Sequence, residues 1–227
     1  MKPLISYLVT THNENESLKE LFDLLFSYKE NNEIVFLDDF STNPSTIKFY
    51  NDLKWAEMPS EHIQVHQHPL NNNYAKHKNY GKSLCKGKYV CQLDADELPS
   101  EYLLEVLPDI IKENPTIELF WIPRVNLFKG VTVEHCKQWA WVMDMSPTFN
   151  EPRINFPDYQ TRLFKNKPYI KWDRPLHEKI IGNANFCYLP KEENFAIYHN
   201  KTIEKQIETN LRYNKQFSPE LNRGYKT

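Results

Sequence analysis

Three carboxylates fall within four residues at Asp94-Ala95-Asp96-Glu97, directly after the apolar run Tyr89-Val90-Cys91-Gln92-Leu93. Like charges clustered at the end of a buried strand repel unless a cation or hydrogen-bond donors offset them. Donors that are all oxygen suit a hard divalent ion, Mn2+ or Mg2+, shared with phosphate oxygens, and such an ion could neutralise a departing diphosphate. The plainer alternative is a solvated acidic turn ahead of Pro99. Two other polar clusters also end apolar runs: Thr10-Thr11-His12-Asn13-Glu14 and Asp38-Asp39. One acid after a strand is often only a helix cap or a loop residue, so the signal lies in the convergence of all three clusters.

These clusters need elements that bring them together. Leu4-Ile5-Ser6-Tyr7-Leu8-Val9 reads as a strand, followed by Leu18, Leu21, Phe22 and Leu25 at helical spacing. Ile34-Val35-Phe36-Leu37 is a second strand, then comes a helical stretch through Ile47, Tyr50 and Leu53. Ile63-Gln64-Val65 is a third strand, Tyr74 to Leu84 a helix, and the run before Asp94 a fourth strand. Pro99 opens a helix carrying Leu103, Leu104, Leu107, Ile110 and Ile111, and Leu119-Phe120-Trp121-Ile122 is a fifth strand. Alternation of this kind implies right-handed crossovers and a mainly parallel sheet covered on both faces. In such sheets ligands bind at the carboxyl ends of the strands, where all three polar clusters fall.

Composition bounds the function. The chain of 227 residues can bury a sizeable core as a single domain, and only five glycines argue against linkers. A formal charge of -2 excludes a globally basic nucleic-acid binder. One stretch is locally basic: Arg162, Lys165, Lys167, Lys171, Arg174 and Lys179 stand against Asp173 and Glu178. Cys85, Cys91, Cys136 and Cys187 form no paired spacing and read as reduced thiols. No run approaches the roughly 18 apolar residues of a membrane span, so a cytoplasmic protein is expected, in the host cytoplasm if viral. Neither a P-loop nor a GxGxxG turn is present, so a phosphate grip must be built from a carboxylate-bound cation and basic side chains.

The residues resemble glycosyltransferase family 2. Its pattern is echoed by Thr11-His12-Asn13-Glu14, Asp38-Asp39-Phe40-Ser41-Thr42, Asn79-Tyr80-Gly81 and Asp94-Ala95-Asp96, in order, over roughly the first 100 residues. The resemblance implies a GT-A type α/β fold, a Rossmann-like sheet flanked by helices with an acceptor-side extension and a C-terminal helix. It also implies a UDP-sugar donor half at 1–100, an acceptor half at 101–200 and a helical tail at 201–227. By the same resemblance Thr10, Glu14, Asp38 or Asp39, Lys78, Asp94 and Ala95 contact the nucleotide sugar, and Asp96 holds the metal and diphosphate. Lys78 stands where the family often has arginine, and Phe40 where it has a loop glycine, which leaves the phosphate and base contacts at those positions less defined.

In the second half, Asp158-Tyr159-Gln160-Thr161-Arg162-Leu163-Phe164 and Pro175-Leu176-His177-Glu178 resemble a subgroup of small family members. Inverting transfer needs a general base, for which Glu178 is the first candidate and Asp158 the second. Arg162 is a candidate for the diphosphate and His177 for the metal shell, with His199 a weaker one; each has a structural alternative. Trp121, Trp139, Trp141 and Trp172 are candidates for acceptor stacking, where core packing is the default. Trp139 to Pro157 reads as an irregular loop over the site, and Lys201 to Thr227 as an amphipathic closing helix.

The acceptor stays open. The small size and the second-half stretches resemble bacteriophage β-glucosyl-HMC-α-glucosyl transferases, which implies glucose added to a sugar on hydroxymethylcytosine in DNA. A bacterial surface glycan or a lipid-linked sugar is the alternative. Two other classes also fit the acidic rim, a metal-dependent hydrolase of nucleotide diphosphates and a module that binds nucleotide sugar without turnover.

Overall fold

The computed structural model describes residues 2–14, 16–55 and 62–222. The first half alternates as expected: β1 (Ile5–Thr11), α1 (Glu16–Ser27), β2 (Asn32–Asp38), α2 (Pro44–Trp55), β3 (Ile63–Gln67), α3 (Tyr74–Leu84) and β4 (Tyr89–Asp94). A short β5 (Glu97–Pro99) leads into α4 (Glu101–Glu113), then β6 (Leu119–Ile122), β7 (Arg124–Lys129) and α5 (Val133–Trp139). The remainder is β8 (Met143–Met145), β9 (Pro152–Ile154), β10 (Gln160–Lys165), β11 (Lys171–Asp173), β12 (Lys179–Ile181), β13 (Phe186–Tyr188), β14 (Ile197–Thr202) and α6 (Ile203–Gln216).

Seven strands form the central sheet in the order β13-β6-β10-β4-β1-β2-β3. All neighbours are parallel except β10, which runs antiparallel to both β4 and β6. The chain order reverses between β1 and β4, and such a switch point opens a crevice at the carboxyl ends of the two strands. Leu18, Leu21, Phe22 and Leu25 of α1 and Leu103, Leu104, Leu107 and Ile111 of α4 bury against one face. At about 1.5–3 kcal/mol for each fully buried apolar side chain, these two stripes hold the helices in place. Ser100 caps α4 by accepting from the Leu103 N–H at 3.0 Å.

The opposite face is covered by α3 and the β11-β12 pair. Gly81 lets α3 sit close: a Cβ there would meet Leu8 Cδ1 at 2.7 Å and Leu37 Cδ2 at 2.9 Å. Asn79, two residues earlier, bonds the Trp172 backbone twice, donating to its carbonyl at 2.8 Å and accepting from its N–H at 3.0 Å. The Asn-x-Gly stretch therefore ties β11 to α3, and with it the segment that carries His177 and Glu178.

The second half departs from simple alternation. β10 inserts antiparallel into the central sheet, and a separate five-stranded sheet forms in the order β5-β14-β7-β9-β8. The stretch from Trp139 to Pro157, expected as an irregular loop, contains the antiparallel β8-β9 pair. Arg153 secures that pair with two bonds to Asp144 at 2.8 Å and one to Glu193 at 2.7 Å. Within the stretch from Lys201 to Thr227, expected as one closing helix, α6 spans Ile203–Gln216, capped by Thr202, with Tyr213 and Phe217 packed against Tyr74; Lys201 and Thr202 belong to β14, and residues 223–227 lie outside the described residues. The helix thus closes the rim of the crevice. No helix among the described residues is long and apolar enough to cross a membrane.

Candidate functional site

The first and fourth strands end side by side, with Thr10 paired to Asp94 in register. Thr10 Oγ1 donates to Asp94 Oδ1 at 2.9 Å, and Gln92 Nε2 donates to the same oxygen at 2.9 Å. Arg162 Nη2 donates to Asp94 Oδ2 at 2.9 Å, and Lys78 Nζ stands 3.5 Å from Oδ1. Burial would raise the Asp94 pKa, but Lys78 and Arg162 outweigh it and hold the carboxyl well below the usual carboxylate range. Ala95 follows with its N–H on the Thr10 carbonyl at 3.1 Å, presenting only a methyl group to the crevice.

Glu97 leaves the acid cluster entirely. Its buried carboxylate accepts from the Asp94 N–H at 3.0 Å, from Arg124 Nη1 at 3.0 Å, and from Arg162. Arg162, expected on the diphosphate, is buried beneath the acids, where it bonds Gln92, Asp94 and Glu97. It is not among the residues that line the crevice. The cluster of three acids thus resolves into two carboxylates locked by arginines and one, Asp96, facing the opening.

Asp96 pairs with His199 of β14, whose Nε2 lies 3.5 Å from Asp96 Oδ2. Burial works against its charge, yet His199 and Lys205 draw its pKa down to about 2. His199 Nδ1 donates to Asn126 Oδ1 at 3.0 Å, because the Asn126 amide nitrogen is committed to Asp158 Oδ2 at 2.9 Å and to the Ile154 carbonyl. With Nδ1 so engaged, Nε2 is the ring nitrogen that faces the Asp96 carboxylate, which places two potential metal donors side by side. The imidazole at ion-pair distance from Asp96 is His199; His177, the expected ligand, has Asn222 Oδ1 among its partners, at 3.3 Å. Among the described residues no group of three or more His, Cys, Asp and Glu side chains could hold a metal alone, so phosphate or water oxygens would have to complete any shell.

Two clefts meet here. The larger, of 1010 Å3, runs from Thr11, His12, Asp39, Leu70 and Asn71 past Asp94 and Asp96 to α6. Asp39 lines it and accepts from the Leu70 N–H at 2.8 Å. Asp38 does not line it: buried, it accepts from the Ser41 N–H and hydroxyl and from Gln67 Nε2 at 3.1 Å, holding the turn after β2. Glu14 lines the cleft and accepts from Lys205 Nζ at 2.7 Å. The smaller cleft, of 640 Å3, is bounded by Trp121, Phe128, Trp141, Asp158, Gln160 and Thr161. Trp172 packs in the core instead, edge-on to Phe164. Arg124, His177, Glu178 and His199 line both clefts and form their common wall.

The two base candidates differ in freedom. Asp158 Oδ2 accepts from Arg124 Nε and Nη2 at 3.0 and 2.6 Å and from Asn126, and its Oδ1 accepts from Gln160 at 2.8 Å. Glu178 Oε1 accepts from Lys78 Nζ at 2.6 Å. Burial raises both carboxyls, but Arg124 and Lys78 respectively bring each below its ordinary value, so both are ionised at neutral pH. Lys78, nearly fully buried, also donates to Gln92 at 3.1 Å. Burial alone would lower its pKa, yet Asp94 and Glu178 raise it. It serves as a strut between the two clefts.

Several wall residues escaped the sequence reading. Lys201, Lys205, Glu208, Thr209, Arg212 and Tyr213 of the tail line the larger cleft beside Thr10, Asp94 and Asp96. The available signal was the helical spacing of Lys205, Glu208, Thr209 and Arg212, with Lys201 just ahead of that helix at the end of β14. The basic stretch around β10 to β12 is dispersed: Arg162 is buried, and Lys165 bonds the Pro115 carbonyl.

With this geometry, three comparisons agree. The sequence profile described as Glycosyl transferase family 2 matches residues 6–181. Glycosyltransferase GlyG of Streptococcus pneumoniae is 30% identical over 115 residues, 50% of this chain and 36% of that protein. Staphylococcus aureus TarS 1-349 in complex with UDP-GlcNAc superposes with a TM-score of 0.60 at 17% identity, over 87% of this chain and 58% of that one. Its complex with UDP gives 0.58 at 16%, over 91% and 63%. The likeness to TarS is one of fold, GT-A type, and the chain spans less than two thirds of each of these relatives.

Proposed function

The chain belongs to glycosyl transferase family 2, and from that premise we propose that it moves a sugar from a UDP-sugar to a hydroxyl of a bacterial glycan, with inversion at the anomeric carbon. The observation that carries this reading is the wall of Arg124, His177, Glu178 and His199 between two clefts, one suited to a donor and one to an acceptor. TarS 1-349, which shares the fold, has been crystallised in complex with UDP-GlcNAc. In this chain the nucleotide would lie along Thr10, Thr11, Asp39 and Asn71, with its diphosphate toward Asp96. Asp96 and His199 would hold a divalent cation, Mn2+ or Mg2+, together with diphosphate oxygens, and the cation would supply charge against the leaving group.

The chain's own side chains supply the rest. Glu178, ionised and at the junction of the clefts, takes the proton of the acceptor hydroxyl as its oxygen attacks the anomeric carbon opposite the diphosphate. Lys78 holds both Glu178 and Asp94, fixing the distance between base and donor. Asp158 is the weaker base, because its oxygens are taken up by Arg124, Asn126 and Gln160. Trp121 and Trp141 offer faces on which an acceptor sugar can stack. The cytoplasm is the compartment we assign.

A bacterial glycan is favoured over sugar on hydroxymethylcytosine DNA because both named relatives are bacterial and the basic stretch that would meet a phosphate backbone is broken up by burial of Arg162. The deciding experiment incubates purified protein with Mn2+, UDP-glucose or UDP-GlcNAc, and either a bacterial glycan pool or glucosylated hydroxymethylcytosine DNA, measuring released UDP. Release stimulated by the glycan supports the proposal. Release stimulated only by the DNA moves the acceptor to the phage substrate, and release from no donor returns the chain to a binding module.

A further inference from the structure

The cations facing the larger cleft are not equally committed. Lys78 is engaged by Asp94 and Glu178, and Arg124 by Asp158 and Glu97. Lys205 reaches Glu14 at 2.7 Å and Asp96 at 3.7 Å. Lys201 and Arg212 have no carboxylate within ion-pair distance among the described residues; Arg212 only lies over the Tyr213 ring at 5.6 Å. All three belong to the end of β14 and to α6, facing the same opening as Asp96.

The electrostatics there are lopsided. Burial pulls the half-buried Lys201 ammonium below its usual range, Lys205, Arg212 and Arg124 push in the same direction, and Asp96 offsets only part of this. At the far end of the cleft, Thr11, His12, Asp39, Leu70, Asn71 and Asn72 include no lysine or arginine. An anion would therefore settle at the α6 end, and a neutral or hydrogen-bonding group at the other.

We propose that Lys201 and Arg212 form the cationic arm that grips the donor diphosphate, with Lys205 held beside them by Glu14 and Asp96, so that the end of β14 and the C-terminal helix supply the contact first expected of Lys78 and Arg162. The assignment rests on the nucleotide-sugar reading, but it concerns a separate step, the recognition of two linked phosphates. With Lys78 and Arg162 neutralised by acids, removal of the Lys201 and Arg212 charges would leave the diphosphate only a cation that Asp96 would hold.

The test is calorimetric titration of UDP and inorganic pyrophosphate, with ligand-observed NMR for uridine, on wild type, Lys201→Gln and Arg212→Gln, with and without Mn2+. Each substitution is expected to weaken UDP and pyrophosphate by about tenfold, the loss of one charge-assisted hydrogen bond, and to leave uridine unchanged. Lys201→Arg, which keeps the charge, should retain UDP binding. Arg212 is exposed, so its variant folds independently of the outcome at Lys201. Unchanged UDP affinity in both Gln variants, or an equal loss for uridine and UDP, overturns the arm. Wild type that binds pyrophosphate with the expected sensitivity but no nucleotide upholds the arm and sinks the donor reading instead; wild type that binds neither overturns the arm.

Discussion

Arg162→Met separates a structural arginine from a ligand-binding one. The substitution keeps a long apolar side chain but removes the guanidinium shared by Gln92, Asp94 and Glu97. The Glu97 side chain is 0% exposed, whereas that of Asp94 is 37% exposed, so the cost falls mainly on Glu97. Removing one partner of a buried ion pair costs about 3–5 kcal/mol, because the other charge is left buried. Arg124 still reaches Glu97 at 3.0 Å, which places the expectation near the lower end, about 3 kcal/mol. Urea unfolding at neutral pH reads this as a lowered midpoint with an unchanged slope. Glu97→Gln combined with Arg162→Met should recover part of the loss, since the unpaired charge is then gone. A loss under about 1 kcal/mol, accompanied by a large drop in UDP affinity, would refute the reasoning and return Arg162 to the diphosphate.

Other perturbations probe the rest of the site. Asp96→Asn should weaken Mn2+-dependent UDP binding and reduce transfer by roughly a hundredfold, measured by UDP release across a metal titration; full Mn2+-dependent turnover would remove Asp96 from the metal. Glu178→Gln should lower kcat by about 10²–10⁴-fold with nucleotide affinity intact, while Asp158→Asn acts mainly on stability; the reverse pattern would exchange their roles. His77, buried beside the cleft, is pulled by desolvation from 6.5 to about 4, with Asp39 pulling partly back. Below pH 6.5 the unfolded chain takes up a proton that the folded one refuses, so stability should fall as pH drops from 6.5 toward 4, by up to about 3 kcal/mol. His77→Gln should flatten that part of the urea-midpoint profile, and an unaltered slope would exclude His77 as its source.

The legible part of this protein was local. Apolar runs ending in Thr10, Asp39 and Asp94 marked strand ends, and the spacing of Leu18, Leu21, Phe22 and Leu25 marked the helix that covers them. Spacing could not show β10 inserting antiparallel beside β4, since pairing of residues as far apart as Leu163 and Cys91 leaves no local trace. Nor could it separate Asp38 from Asp39, adjacent acids of which one turns inward to Ser41 and the other lines the cleft.

The sequence by itself determined which residues could carry charge and where strands stop, because side-chain type and short-range periodicity are written along the chain. The tertiary structure decided which charges remain available. Arg162 and Glu97 cancel in the interior, where low polarity makes an unpaired ion costly. His199, about 100 residues from Asp96, reaches it only because β14 pairs with β5 and β7. The cations of α6 face the cleft because Tyr213 and Phe217 pack against Tyr74, and hydrophobic packing across the rim, not any pattern near the acids, sets that position.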